Sequence, residues 1–221
     1  MDWTALALSL RLAFWTALVL LPVGLALARW LAWGRFRGRA LVEAAIMLPL
    51  VLPPTVLGYY LLVGLAPATM AGGFLGWLAG DRFLFTFPAI LLASLIVNIP
   101  FAVQPMQRAF EAISRNTREA AWVSGLTRFE TFVRVELPLA WPGVVSALAL
   151  VVAHTLGEFG VILLVGGSIP GETQTLSIAI YDRVQAFRNG EAGVMSGALM
   201  AFAFSALAIV YVTTGRRRSH E

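Results

Sequence analysis

Five runs of about twenty apolar residues, separated by short stretches rich in arginine, constrain this chain more than any other feature. They lie at about 12–33, 41–65, 83–103, 139–165 and 194–214. About twenty apolar residues is the length a helix needs to cross the hydrocarbon core of a bilayer, and a segment there must satisfy its own backbone, which favours helices. The expectation is an all-α polytopic membrane protein, with five transmembrane helices forming a single domain over residues 1–221. Only 13% of the residues are charged and 59% are hydrophobic, against about 25% charged in an ordinary soluble domain. The chain has no cysteine, which excludes a disulfide framework, thiol catalysis and thiolate metal sites. The start does not read as a cleavable signal peptide, because Asp2 stands where a basic residue is expected and the first apolar run is too long.

Arginine placement sets the orientation, since positive loops stay in the cytoplasm. All sixteen basic residues are arginine. Arg29, Arg35, Arg37, Arg39, Arg108, Arg115, Arg118, Arg128, Arg134 and Arg216–Arg218 fall on one side, against Arg11, Arg82, Arg183 and Arg188 on the other. Twelve against four puts the first set inside, with the N-terminus outside, the C-terminus inside and the 107–138 segment cytoplasmic. This distribution between spans accounts for the net charge of +4 without a nucleic-acid partner.

The cytoplasmic segment carries a spaced pattern. Glu119-Ala120-Ala121 is followed after three residues by Gly125, then after nine by Val135, and Leu137-Pro138 closes the register. Residues 110–118 and 118–133 can form two short helices around a break, with Gly125 supplying a left-handed turn. Leu126, Phe129, Phe132 and Val133 then fall at helical spacing, as an apolar face that one helix cannot bury alone. Taken by themselves these residues also suit an amphipathic helix lying on the membrane surface. The pattern resembles the EAA signature of ABC importer permeases. That resemblance implies a coupling loop whose short helix after the Gly seats in a cleft of a separate ATP-binding subunit. The residues it would assign to coupling are Glu119, Ala120, Ala121, Gly125, Leu126, Leu137 and Pro138.

A P-loop ATPase needs the lysine of GxxxxGK[ST], and this chain has no lysine. The chain is therefore expected to be the pore and not an enzyme, binding no cofactor itself, with ATP and Mg on the partner subunit. It also has no convincing nucleophile–base or metal constellation.

Three further segments bear on the cargo. The string 48–62, LPLVLPPTVLGYYLL, puts Pro49, Pro53 and Pro54 inside a span, with Thr55 following. Such breaks are tolerated where protein or a water-filled cavity satisfies the freed backbone. They serve either as packing kinks or as exposed helix N-termini that attract an anion. In the fourth span, Gly157-Glu158-Phe159-Gly160 places a carboxylate within the membrane, and His154 lies one turn earlier, close enough to hydrogen-bond it. The two can simply satisfy each other; a carboxylate would repel a dianion, so Glu158 reads as architecture or gate. After that span, Pro170-Gly171-Glu172-Thr173 leads into an amphipathic stretch with Leu176, Ile180, Val184 and Phe187 on one face, which reads as an external interfacial helix.

These strings resemble molybdate permeases over about residues 41–211. The GEFG stretch is common to the molybdate and sulfate members, and the IPGET string with Ile180-Tyr181 is closer to the molybdate ones. The resemblance implies a type I importer permease of the bacterial inner membrane, working as a homodimer with its pore on the two-fold axis. Two ATP-binding cassette subunits would sit beneath it. A periplasmic or lipid-anchored binding protein would dock outside, on residues 170–173 and the 66–82 loop. The cargo would be molybdate or a similar tetrahedral oxyanion, with a sulfate-type permease as the alternative. An ion-gradient carrier using His154 and Glu158 is the rival of another class; it leaves the register of the cytoplasmic loop unexplained, and no inverted repeat supports it.

Overall fold

The computed structural model describes residues 1–79 and 82–215, with side chains through Ser205 and at Ala208. Arg216–Arg218, which contributed to the orientation argument, lie outside the described residues. The described residues form helices and turns, with no strand among them.

α1 (Trp3–Trp33) opens on Asp2, whose carboxylate accepts the Ala5 amide at 3.1 Å, and stops at an extended Gly34. α2 (Arg39–Val51) and α3 (Pro54–Gly64) meet at an angle of 107°. The bend is local chemistry. Proline pushes the residue before it out of the helical region; Leu52 and Pro53 are accordingly extended, and Pro54 starts the next helix, where its missing N–H costs nothing. α4 (Met70–Ala79) is short and apolar, α5 (Phe87–Glu111) is long, and α6 (Arg115–Val123) and α7 (Arg128–Thr131) build the loop expected to be cytoplasmic. A π-helical turn (Phe132–Glu136) runs straight into α8 (Leu137–Gly157), and α9 (Gly160–Gly166), α10 (Leu176–Gln185) and α11 (Asn189–Gly215) complete the chain.

Among the described residues, three helices are long and apolar enough to cross a membrane, namely Trp3–Trp33, Phe87–Glu111 and the continuous Arg128–Gly157. The bent α2–α3 pair raises the number to four. Two of the expected spans are therefore not single rods: 41–65 is turned at Leu52–Pro53, and 139–165 is broken between α8 and α9.

α5 lies at the centre, packed against α1 on one side and α8 on the other, with α1 and α8 also in contact. Its buried residues serve two apolar clusters, one at each end of the bundle. Ile90 and Val97 meet Leu12, Val161 and Ile162; Val103, Met106 and Phe110 meet Ala28, Leu31 and Val144. Between them, Thr16 and Ser94 share a buried hydrogen bond of 2.9 Å, and Asn98 donates to the Ser94 carbonyl at 2.8 Å. Small residues let the helices approach, as in other membrane bundles. A Cβ added at Gly58 of α3 would come within 3.2 Å of the Val161 Cα of α9.

The stretch read as an external interfacial helix forms α10 and packs on the bundle. Leu176 and Ala179 of α10 are buried against Ala5 and Met195, because α10 leans on α1 and α11. Val184 and Phe187, assigned to the same face, stay exposed.

Candidate functional site

α6 is capped by Ser114, whose hydroxyl accepts the Thr117 amide at 3.1 Å. It ends where Gly125 adopts φ 86° and the Leu126 amide reaches back to the Ala121 carbonyl at 3.1 Å. That positive φ is the conformation glycine adopts without steric cost. Thr127 then starts α7 with a full capping box: its hydroxyl accepts the Glu130 amide while the Glu130 carboxylate accepts the Thr127 amide at 2.9 Å. The Thr127 backbone and hydroxyl donors hold the Glu130 carboxyl below the usual carboxylate range. The turn between the two helices is thus locally determined on both sides.

The EAA residues occupy three environments. Glu119 accepts Arg115 Nε at 2.6 Å on the surface, Ala120 is exposed, and Ala121 is buried. Val123 is 89% exposed and Phe129 74% exposed, with Trp122 and Val133 also open. The expected apolar face is divided. Leu126 is half-buried, and Phe132 turns inward against Phe110 at a ring separation of 6.5 Å, leaving Phe129 and Val133 outside. A π turn follows, in which the Leu137 amide bonds the Phe132 carbonyl five residues back. One residue beyond α-helical spacing rotates the following side chains about the axis. Leu137 joins the inner core, and Pro138 is exposed on the first turn of α8.

The same turn buries Glu136 completely. Its two oxygens accept Arg29 Nε at 2.6 Å and Arg118 Nε at 2.7 Å. The Arg118 guanidinium lies 3.9 Å over the Trp33 ring and 5.1 Å from Trp122, and Arg29 lies 5.2 Å over Phe132. The sequence places Arg29 and Arg118 only by side of the membrane, and Glu136 not at all. The available signal was an acidic residue directly preceding an apolar span, which needs a partner that its own helix does not supply.

Of the residues assigned to the pathway, Pro54, Glu158 and Gly160 come together. Pro54, at the start of α3, lies against Gly160, at the start of α9; a Cβ there would approach the Pro54 Cβ to 2.9 Å. A cavity of about 110 Å3 beside them is lined by Pro54, Phe101, His154, Glu158 and Val161. Pro53, Pro54 and Thr55 are exposed on the single chain. Gly157 ends α8 and Phe159 precedes α9, so the helix break lies at Glu158-Phe159. Glu158 is buried and extended; its carboxylate accepts the Val161 amide at 3.1 Å and its carbonyl accepts the Ser177 hydroxyl at 2.6 Å. The expected His154–Glu158 hydrogen bond does not form. The two side chains are 3.7 Å apart, while His154 Nδ1 meets Asn98 Oδ1 at 3.2 Å and the ring stacks on Phe101 at 4.2 Å. Breaking the helix at Glu158 turns its carboxylate to the N-terminus of α9.

On the far side, Pro170, Gly171 and Glu172 are exposed, and Gly171 has φ 80°. Thr173 is fully buried: its hydroxyl donates to the Gly166 carbonyl at 2.7 Å and accepts the Ile169 amide at 3.2 Å, so it shapes the loop from within. In the 66–82 stretch, α4 presents Phe74, Trp77 and Leu78 outward.

Residues 20–218 match the family model described as the binding-protein-dependent transport system inner membrane component. The chain belongs to this family. Among relatives of this transport-system component, the molybdenum transport system permease protein ModB of Azotobacter vinelandii is 42% identical over 210 residues, covering 95% of this chain and 93% of its own. ModB of Escherichia coli K12 is 33% identical over 209 residues, covering 95% and 91%. The sulfate transport system permease protein CysT of the same strain is 34% identical over 181 residues, covering 80% and 64%. Among solved structures, a bacterial ABC transporter that imports alginate aligns with a TM-score of 0.72 at 22% identity, covering 99% of this chain and 79% of that one, which shows the shared fold.

Proposed function

We propose that this inner membrane component is the pore-forming permease subunit of an ATP-driven importer of molybdate or a similar tetrahedral oxyanion. The observation that carries the reading is the cytoplasmic loop. It is rigidly capped at Ser114, Gly125 and Thr127, yet presents Val123 and Phe129 with nothing among the described residues to cover them. Held beyond the bilayer on a polar loop, a pre-shaped apolar surface implies a docking partner. The partner would be an ATP-binding cassette subunit carrying ATP and Mg, one beneath each protomer of a homodimer. α2 has no buried residue and Pro53–Thr55 are exposed, which supports a second copy of the chain facing the α2–α3 bend.

In this reading the chain crosses the membrane five times, with the N-terminus outside and the C-terminus in the cytoplasm. A periplasmic or lipid-anchored binding protein would deliver the oxyanion to the face bearing Pro170, Gly171 and Glu172. ATP would favour the outward-open state through its differential affinity for the two conformations. The α3–α9 unit, hinged at Leu52–Pro53 and Glu158-Phe159, would open and close the path. Glu158 would hold that hinge through the α9 amide rather than bind an anion. The molybdenum relatives at 42% and 33% identity over nearly the full length support the cargo. The sulfate relative at 34% keeps a sulfate-type permease as the second reading.

The test is uptake of molybdate into liposomes holding this chain, its ATP-binding subunit and its binding protein, with sulfate as competitor. ATP-dependent uptake that excess sulfate leaves unchanged is expected. Uptake abolished by sulfate moves the cargo, and uptake without the ATP-binding subunit refutes the mechanism.

A further inference from the structure

The clearest feature that the permease reading leaves unused is the buried carboxylate at Glu136. It sits in the π turn between the cytoplasmic loop and α8, wholly shielded from solvent, with a guanidinium on each oxygen at 2.6 and 2.7 Å. The two arginines come from different parts of the fold: Arg29 from the inner end of α1, 107 residues away, and Arg118 from α6. Three elements therefore converge on one side chain.

α6 has little else to hold it. It packs chiefly on α7 and the π turn. Ala121 is its buried apolar residue, and Val123 projects away from the body. Arg118, by contrast, is 15% exposed, with its guanidinium 3.9 Å over the Trp33 ring of α1 and 5.1 Å from the Trp122 ring. A planar guanidinium held by a carboxylate and an indole has few rotamers left, and in a site shielded from water such a charge-assisted bond resists extension more than a surface pair does. A push on the exposed face of α6 therefore reaches Glu136 with little lost to side-chain flexing. Glu136 is rigidly continuous with α8 and pinned to α1 by Arg29.

We infer that Glu136 is a positioning residue for energy coupling. It clamps α6 to α1 and α8 through Arg118 and Arg29, so that displacement of the cytoplasmic loop moves these two helices instead of being absorbed in the loop. The inference rests on the permease reading. A residue needed only for folding changes how much active complex forms; a clamp changes how much transport each hydrolysis yields.

The experiment measures ATP hydrolysed per molybdate ion taken up by proteoliposomes of the full complex, because this ratio is independent of the amount of complex. Glu136→Gln is near-isosteric and puts an amide where one guanidinium donates. The ratio is expected to rise at least fivefold, with Arg118→Lys, which keeps the cation, intermediate between variant and native. An unchanged ratio, with uptake and hydrolysis lowered together, overturns the clamp. Should Glu136→Gln not assemble, Arg118→Gln, which leaves Arg29 on the carboxylate, is read in the same way. A complex that cannot form without the pair counts against a coupling role. If the native complex shows no ATP-dependent uptake, the permease reading fails; native coupling with undisturbed variants removes the clamp alone.

Discussion

Replacing Gly143 by alanine tests the packing of the two central helices. Gly143 lies in the first half of α8, on the side packed against α5. An added Cβ would overlap the Ala109 Cβ and lie 2.8 Å from the Pro105 carbonyl oxygen. Neither obstacle is the end of a flexible side chain, so α5 and α8 must part. Carbon atoms settle at about 3.5–4.0 Å, and a gap of 0.5–1 Å forfeits a quarter to a half of each dispersion well along the contact. Overpacking of this kind costs about 1–3 kcal/mol. Alanine in place of a helical glycine returns about 0.5–1 kcal/mol of backbone entropy, leaving a net loss of about 0–2.5 kcal/mol. Gly197 of α11 is the control, since a Cβ there meets nothing within 4 Å, and alanine should be neutral or stabilising by up to about 1 kcal/mol. Unfolding of the purified chain by SDS in mixed micelles, followed by far-UV circular dichroism, reports both. A Gly143→Ala midpoint above the native one would refute the close crossing.

Asn98→Leu removes the partner of His154 Nδ1 and the donor to Ser94 in the bundle interior, and the same titration should show a loss of about 1–3 kcal/mol. Thr127→Ala removes the cap of α7, costing about 0.5–2 kcal/mol locally, and should appear as faster amide exchange at Glu130. Because the Thr127 donors depress the Glu130 carboxyl, its contribution is complete above the ordinary glutamate range and is lost only as pH falls through the lowered value. In Thr127→Ala the Glu130 titration, followed by carboxyl NMR, should move back upward. Val123→Asp should leave the unfolding midpoint within about 0.5 kcal/mol of native, as surface changes do. It should also weaken association with the ATP-binding subunit at least tenfold, about 1.4 kcal/mol, measured by co-purification titration; undiminished association would remove α6 from the docking surface.

Much was legible in the residues because it is local. Apolar run length and arginine placement mark a membrane protein, and Gly125 after the Glu119-Ala120-Ala121 triplet marks where α6 must end. The spaced EAA pattern and the Leu137-Pro138 that closes it give a family whose model matches residues 20–218. Paired prolines mark a break in the second apolar run, since proline acts on its immediate neighbours alone. Each of these is a property of a few consecutive positions.

What the tertiary structure decided lies between distant positions. The angle of 107° at Leu52–Pro53 depends on what α3 packs against, which is α9. His154 took Asn98, 56 residues away, over Glu158 one turn along its own chain, because the helix break aims the carboxylate at the Val161 amide. Thr173, in a segment that reads as an exposed loop, is buried by its bonds to Gly166 and Ile169. Glu136 is the sharpest case. Composition and spacing place it in a polar cytoplasmic stretch, yet a π turn rotates it inward, where a buried charge is tolerated only with partners. Those partners, Arg29 and Arg118, are brought to it by the packing of α1 and α6. Periodicity reports which face of a helix is apolar; it carries nothing about which arginine will be waiting opposite a carboxylate.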